Sequence, residues 1–115
     1  MRYAMLIYSV ETPWDQVSPE QMQEVMDAYN AFGAEAREKG VMLGGEALQT
    51  TDQAKTVRVQ DGKTLITNGP FAETKEVLGG FYLFECTNEA EALEWAAKIP
   101  GAKWGCVEVR PLVEF

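Results

Sequence analysis

The chain contains no histidine, and that absence excludes more chemistry than any single residue present suggests. Without imidazole there is no Ser-His-Asp or Cys-His nucleophile system and no His-ligated zinc or iron. Nor is there a side chain whose ordinary pKa makes it a proton carrier near neutral pH. Cysteine is nearly as scarce. Cys86 and Cys106 lie far apart, lack metal-ligand spacing, and are read as buried free thiols rather than a disulfide. Positive charge is also short: 10 Lys and Arg stand against 18 Asp and Glu, a formal net charge of −8. A phosphate backbone or an anionic lipid surface needs clustered cations, so neither nucleic acid nor membrane is expected as a partner. Long apolar runs are missing as well. The run in residues 3–8 is too short for a signal-peptide core or a membrane span, which points to a cytoplasmic protein. Any chemistry must therefore come from carboxylates, Lys75, tyrosines, hydroxyls or a thiol.

What is present suits one domain over residues 1–115, with a single core. Residues 3–9 form an almost continuous apolar run, as a central strand requires. A helix start follows: Ser18 as N-cap, Pro19 at the first helical position, Gln21 closing a capping box. Met22, Val25, Met26, Tyr29, Phe32 and Ala36 recur at three- and four-residue steps and form one apolar stripe. Gly40 suits the position just past the helix end. Residues 41–49 form a strand holding Gly44-Gly45. Asp61-Gly62 between alternating runs predicts a hairpin with a type I′ turn. Residues 80–86 form another central strand. Asn88 caps a second helix, with Glu91 as its capping-box partner and Ala90, Leu93, Ala96 and Ala97 on its inner face. Residues 104–109 are a last strand, stopped at Arg110-Pro111. The order is strand, helix, strand, hairpin, strand, helix, strand. It predicts an α+β fold: a ferredoxin-like antiparallel sheet with two helices on one face and an inserted β-hairpin. Phe81, Tyr82, Leu83 and Phe84 make both faces of the sheet apolar. The bare face needs a cover, and a second copy packed sheet against sheet supplies it, so a homodimer is expected.

One stretch concentrates unusual choices: Asn68-Gly69-Pro70-Phe71-Ala72-Glu73-Thr74-Lys75-Glu76-Val77-Leu78-Gly79-Gly80. Gly69-Pro70 forces an extended or turn geometry. It is either a loop stop in which Asn68 caps the turn, or a rigid rim that aims Phe71 and Glu73 into a cleft. Glu73-Thr74-Lys75-Glu76 is either a solvated charged turn or a functional set. In the second reading Lys75 anchors an anionic substrate or a developing oxyanion, and Glu73 or Glu76, with Tyr8, moves a proton. Neighbouring carboxylates keep Lys75 charged, so it serves better as an anchor than as a base. The glycine pairs mark bulges or bends, or room for a ligand. Tyr8 ends its strand beside the loop carrying Trp14 and Asp15, which offer a flat apolar wall and a carboxylate.

The same stretch, with Phe81 after it, resembles the signature of the DGPF proteins, a branch of the YCII-related (YciI-like) superfamily. Arg2-Tyr3 and Glu108-Val109-Arg110-Pro111 extend the resemblance over nearly the whole chain. The resemblance implies a ferredoxin-like dimeric α+β barrel. It implies little about activity: most members are uncharacterised, some are encoded beside extracytoplasmic-function sigma factors, and a few in the superfamily are suspected of acting on small ring compounds. Some YciI-like members carry a His/Asp pair proposed as catalytic, which has no counterpart here. Asn68 stands where the family name has Asp. Two functions are weighed. One is a cofactor-free small-molecule site in a cleft by residues 68–76, using Lys75, Glu73 or Glu76, and Tyr8, with Asn68, Phe71, Trp14 and Asp15 as ligand contacts. The other is a non-catalytic regulatory or interaction module linked to those sigma factors.

Overall fold

In the computed structural model, the backbone of residues 1–115 and every side chain except that of Trp14 are described. Six strands and two helices follow in the order β1 (Arg2–Val10), α1 (Pro19–Glu38), β2 (Met42–Ala47), β3 (Lys55–Gln60), β4 (Lys63–Asn68), β5 (Glu76–Glu85), α2 (Glu89–Lys98) and β6 (Cys106–Pro111). Four strands form one sheet in the order β2-β5-β1-β6, every neighbouring pair antiparallel. The apolar runs of β1 and β5 thus occupy the two central places. Each helix crosses between strands that another strand separates, which is the split βαβ arrangement expected from the element order.

Local chemistry sets the element ends. The Ser18 hydroxyl accepts from the Gln21 N–H, and the Gln21 side chain accepts from the Ser18 N–H. At α2 the Asn88 side chain accepts from the Glu91 N–H at 2.9 Å. The return contact goes elsewhere: Glu91 reaches the Thr87 N–H, at 3.4 Å, instead of the N-cap amide. Asp61 and Gly62 both have positive φ, 51° and 75°, as a type I′ turn demands.

Residues directly opposed across strands point to the same side. The inner face carries Tyr3, Met5, Tyr82 and Phe84 and is covered by both helices. Phe32 sits at its centre, with ring centroids 5.3 Å from Tyr82, 5.9 Å from Phe84 and 6.2 Å from Trp95. The inner face of α2 is Ala92, Trp95 and Ala96, not the Ala90, Leu93, Ala96, Ala97 set; Leu93 is exposed. The indole has far more apolar area to bury than Leu93, and turning it inward rotates the helix. Along α1 the buried residues are Phe32, Gly33 and Ala36, so Met26 at the other end of the stripe lies exposed.

Two bulges sit where the glycine pairs fall. The β1–β5 register slips between Ile7 and Tyr8, leaving Gly79 unopposed, and the β2–β5 register slips at Leu43. Strand β5 therefore starts at Glu76, four residues before Gly80, because β1 runs on to Val10 and pairs with it. Strand β6 likewise runs through Pro111, opposite Tyr3. Proline is tolerated there because β6 is an edge strand.

The other face of the sheet carries Ala4, Leu6, Tyr8, Leu78, Phe81 and Leu83 along its two central strands. No helix covers it. The β3–β4 hairpin forms a separate two-stranded sheet that projects from the body. No helix among the described residues is long and apolar enough to cross a membrane.

Candidate functional site

A hollow lies at one end of this open face, at the root of the hairpin. It measures about 580 Å³. Tyr8 and Leu78, opposed across β1 and β5, form its floor. Residues 48–54, which lead into the hairpin, form one wall; residues 70–74, which leave it, form the other. Hydrogen bonds hold both walls. The Leu48 N–H donates to the Gly79 carbonyl at 2.9 Å, and the Gly69 N–H donates to the Ala54 carbonyl at 2.8 Å. Glu11 clamps the first wall from outside, accepting from the Thr51 N–H at 2.6 Å and the Thr51 hydroxyl at 2.7 Å. The lining is mostly apolar: Leu48, Ala54, Pro70, Phe71, Val77 and Leu78. The hydroxyls of Tyr8, Thr50, Thr51 and Thr74 interrupt it.

A second hollow of about 380 Å³ adjoins the first and shares Thr51, Pro70, Thr74 and Val77 with it. Its charged residues are Glu11, Asp52, Glu73 and Lys75, three carboxylates against one ammonium. The Thr50 hydroxyl donates to Asp52 and holds its carboxyl below the ordinary range. Glu73 and Lys75 have no ion-pair partner among the described residues. No group of three metal-ligating side chains occurs among the described residues.

The expected site residues are thus divided. Tyr8 and Phe71 line the larger hollow; Glu73 and Lys75 line the smaller. Glu76 lines neither, because it opens β5 opposite Val10 at the sheet's end. Asn68 lines neither, because it ends β4 and its side-chain oxygen accepts from the Lys55 ammonium at 2.8 Å. Asp15 is exposed on a short 3-10 turn, Trp14–Gln16, and also lines neither. The Trp14 side chain lies outside the described residues. Phe71 is 77% exposed, its ring beneath the Arg58 guanidinium at 5.2 Å, so it forms an outer rim. Sequence reasoning missed Leu48, Thr50, Thr51, Glu11 and Asp52. The Thr-Thr-Asp run looks like any polar turn, and Glu11 meets it across forty positions of sequence.

The match to known proteins now has geometry behind it. A family model described as the YCII-related domain covers residues 1–115. The chain belongs to the YCII-related family. An uncharacterised protein of Rhizobium meliloti (strain 1021) is 40% identical over 117 residues, spanning 100% of this YCII-related chain and 94% of that protein. Among solved structures, the fold is similar to 5-chloro-2-hydroxyhydroquinone dehydrochlorinase of Burkholderia phenoliruptrix in complex with 2,5-dihydroxybenzoquinone. The TM-score is 0.53 at 14% identity, covering 100% of this chain and 96% of that one. At that identity the likeness carries the fold alone.

Proposed function

We propose that this YCII-related protein binds a small, largely apolar molecule bearing hydroxyl groups, without a cofactor. Its apolar body sits in the 580 Å³ hollow and its polar end faces the adjoining carboxylates. The observation that carries this reading is the pairing of those two hollows across one shared wall. The larger falls within the roughly 300–1,000 Å³ typical of ligand pockets, and its apolar lining with a few convergent polar groups is the usual composition of one. An anionic ligand, the expectation from Lys75 alone, fits less well: three carboxylates line that hollow with the single ammonium, and a carboxylate ligand would meet net negative charge there. A neutral hydroxyl donates to carboxylates without that cost. Where proton transfer follows, Glu73 accepts the hydroxyl proton, Lys75 steadies the oxyanion left behind, and the Tyr8 hydroxyl orients the ring. The structural neighbour holds a hydroxylated ring, 2,5-dihydroxybenzoquinone. The bare sheet face supports a second part of the proposal, that two copies pack by this face as a homodimer.

The test is a thermal-shift survey of phenols, catechols, hydroxyquinones and benzoates, followed by titration of Lys75→Ala and Tyr8→Phe. Hydroxylated rings are expected to raise the melting temperature and benzoates not to. At a hundredfold excess over Kd, binding stabilises by about 2.7 kcal/mol. Each variant is expected to weaken binding about tenfold. A survey in which only benzoates bind, or variants that bind as tightly as the parent, would overturn the reading.

A further inference from the structure

Phe71 stands where the core does not need it. Its ring is 77% exposed, yet it lines the 580 Å³ hollow. The backbone that carries it is fixed from both sides. Gly69 has a φ of 98°, which favours glycine, and a Cβ there would meet nothing within 4 Å, so conformation rather than space selects the residue. Pro70 fixes the next φ. The Gly69 N–H donates to the Ala54 carbonyl, and the Thr56 hydroxyl donates to the Gly69 carbonyl at 2.8 Å. Thr56 and Arg58 alternate with Val57 along β3 and so share one face of the hairpin. The chain leaving β4 folds back over that face, and there the Arg58 guanidinium lies over the Phe71 ring. Arg58 is exposed and has no carboxylate partner among the described residues. It does not line the hollow, whereas Phe71 does, so the guanidinium covers one side of the ring and the hollow borders another.

We infer that Arg58 is a positioning residue that holds Phe71 as a stacking platform, and that the hollow therefore selects flat aromatic rings over saturated rings of the same size and hydroxyl pattern. This inference deepens the small-molecule site proposed above and rests on it. A cation over an aromatic face is attracted by the ring's quadrupole, and at an exposed site that biases the ring toward one placement by about twofold to fivefold. A platform held in advance has less freedom to lose when a ligand arrives. Contact between two aromatic rings adds about twofold to tenfold in affinity beyond the apolar area buried, whereas a saturated ring gains the area alone. A guanidinium that only tied the hairpin to the loop would support every ligand alike. One that positions a platform supports aromatic ligands selectively.

NMR titration of the full chain with catechol and with its saturated counterpart, cis-1,2-cyclohexanediol, tests this. Both probes are uncharged at neutral pH and carry adjacent hydroxyls on a ring of the same size; catechol alone is flat and aromatic. Three variants accompany the parent: Phe71→Leu keeps apolar bulk, Arg58→Gln removes the charge, and Arg58→Lys keeps it. Both positions are exposed, and circular dichroism confirms that each variant folds. The parent is expected to bind catechol about fivefold to tenfold more tightly than the diol. Phe71→Leu should bring the two affinities to about equality by weakening catechol alone. Arg58→Gln should cut the preference to about twofold, and Arg58→Lys should retain most of it. A preference unchanged by Arg58→Gln, or variants that weaken both probes alike, overturns the inference and leaves the small-molecule site standing. A parent that binds both probes equally does the same. A parent that binds neither overturns the inference and the site together.

Discussion

Adjacent glycines in β2 are expected to respond to the same substitution with opposite sign. Gly45 lies on the inner side of the sheet directly opposite Tyr82. A Cβ placed there would sit 2.5 Å from Tyr82 Cδ1 and 2.7 Å from the Phe81 carbonyl oxygen. Neither partner can retreat easily, since Phe81 offers backbone and the Tyr82 ring packs between Phe32 and Phe84. Overpacking of this kind costs about 1–3 kcal/mol. Gly44 lies on the other side, and a Cβ there meets nothing within 4 Å. Its φ is not positive, so alanine fits without strain and gains about 0.4–1 kcal/mol through the unfolded chain. With an unfolding entropy near 2.1 cal/mol/K per residue, each kcal/mol moves the melting temperature of a chain this long by about 4 °C. Gly45→Ala should therefore melt roughly 4–12 °C lower and Gly44→Ala about 2–4 °C higher. Thermal unfolding at matched protein concentration checks both. The reasoning fails if Gly45→Ala is neutral or if Gly44→Ala is the more damaging of the two, because either result would place the β2–β5 register differently.

Phe84 is fully buried between Phe32 and Trp95, and Phe84→Ala should cost about 3–5 kcal/mol by urea midpoint. Burial pushes the Tyr29 and Tyr82 phenols and the Cys86 thiol upward. A raised folded pKa gives stability that is complete below the unfolded value and lost as pH rises through the folded one. Urea midpoints should therefore hold up to about pH 9 and fall above it, with Cys86→Ala flattening the first part of the fall. Glu11→Gln leaves one acceptor for the two Thr51 donors, and faster amide exchange at Thr51 by NMR should report the loosened wall.

The architecture was legible because local signals agreed with it. Ser18 with Gln21, and Asp61 with Gly62, formed as expected, since each depends only on neighbouring backbone. Element order then implied which strands pair. Where tertiary packing decides, sequence was a poorer guide. The rotation of α2 follows from Trp95 finding the Phe32 and Phe84 rings, far apart in sequence. The early start of β5 follows from β1 reaching Val10. In the candidate site, Tyr8 and Phe71 were legible, and Lys75 with Glu73 stood in the right segment. The Glu11–Thr51 clamp and the wall at residues 48–54 were not, because they exist only once β1 and the start of the hairpin meet. Lys75's surroundings changed the expected ligand: Glu11 and Asp52, distant in sequence, add their charge to that of Glu73.

The claim that matters most is that the paired hollows at the hairpin root are the ligand site. Two-dimensional NMR of the labelled protein, titrated with the tightest hydroxylated ring from the survey, tests it directly. The account predicts that the shifted amides cluster at Tyr8, Leu48, Thr51, Phe71, Thr74 and Leu78, with Lys75 and Glu73 following. Shifts gathered instead on α1 and α2, with those residues unmoved, would contradict it.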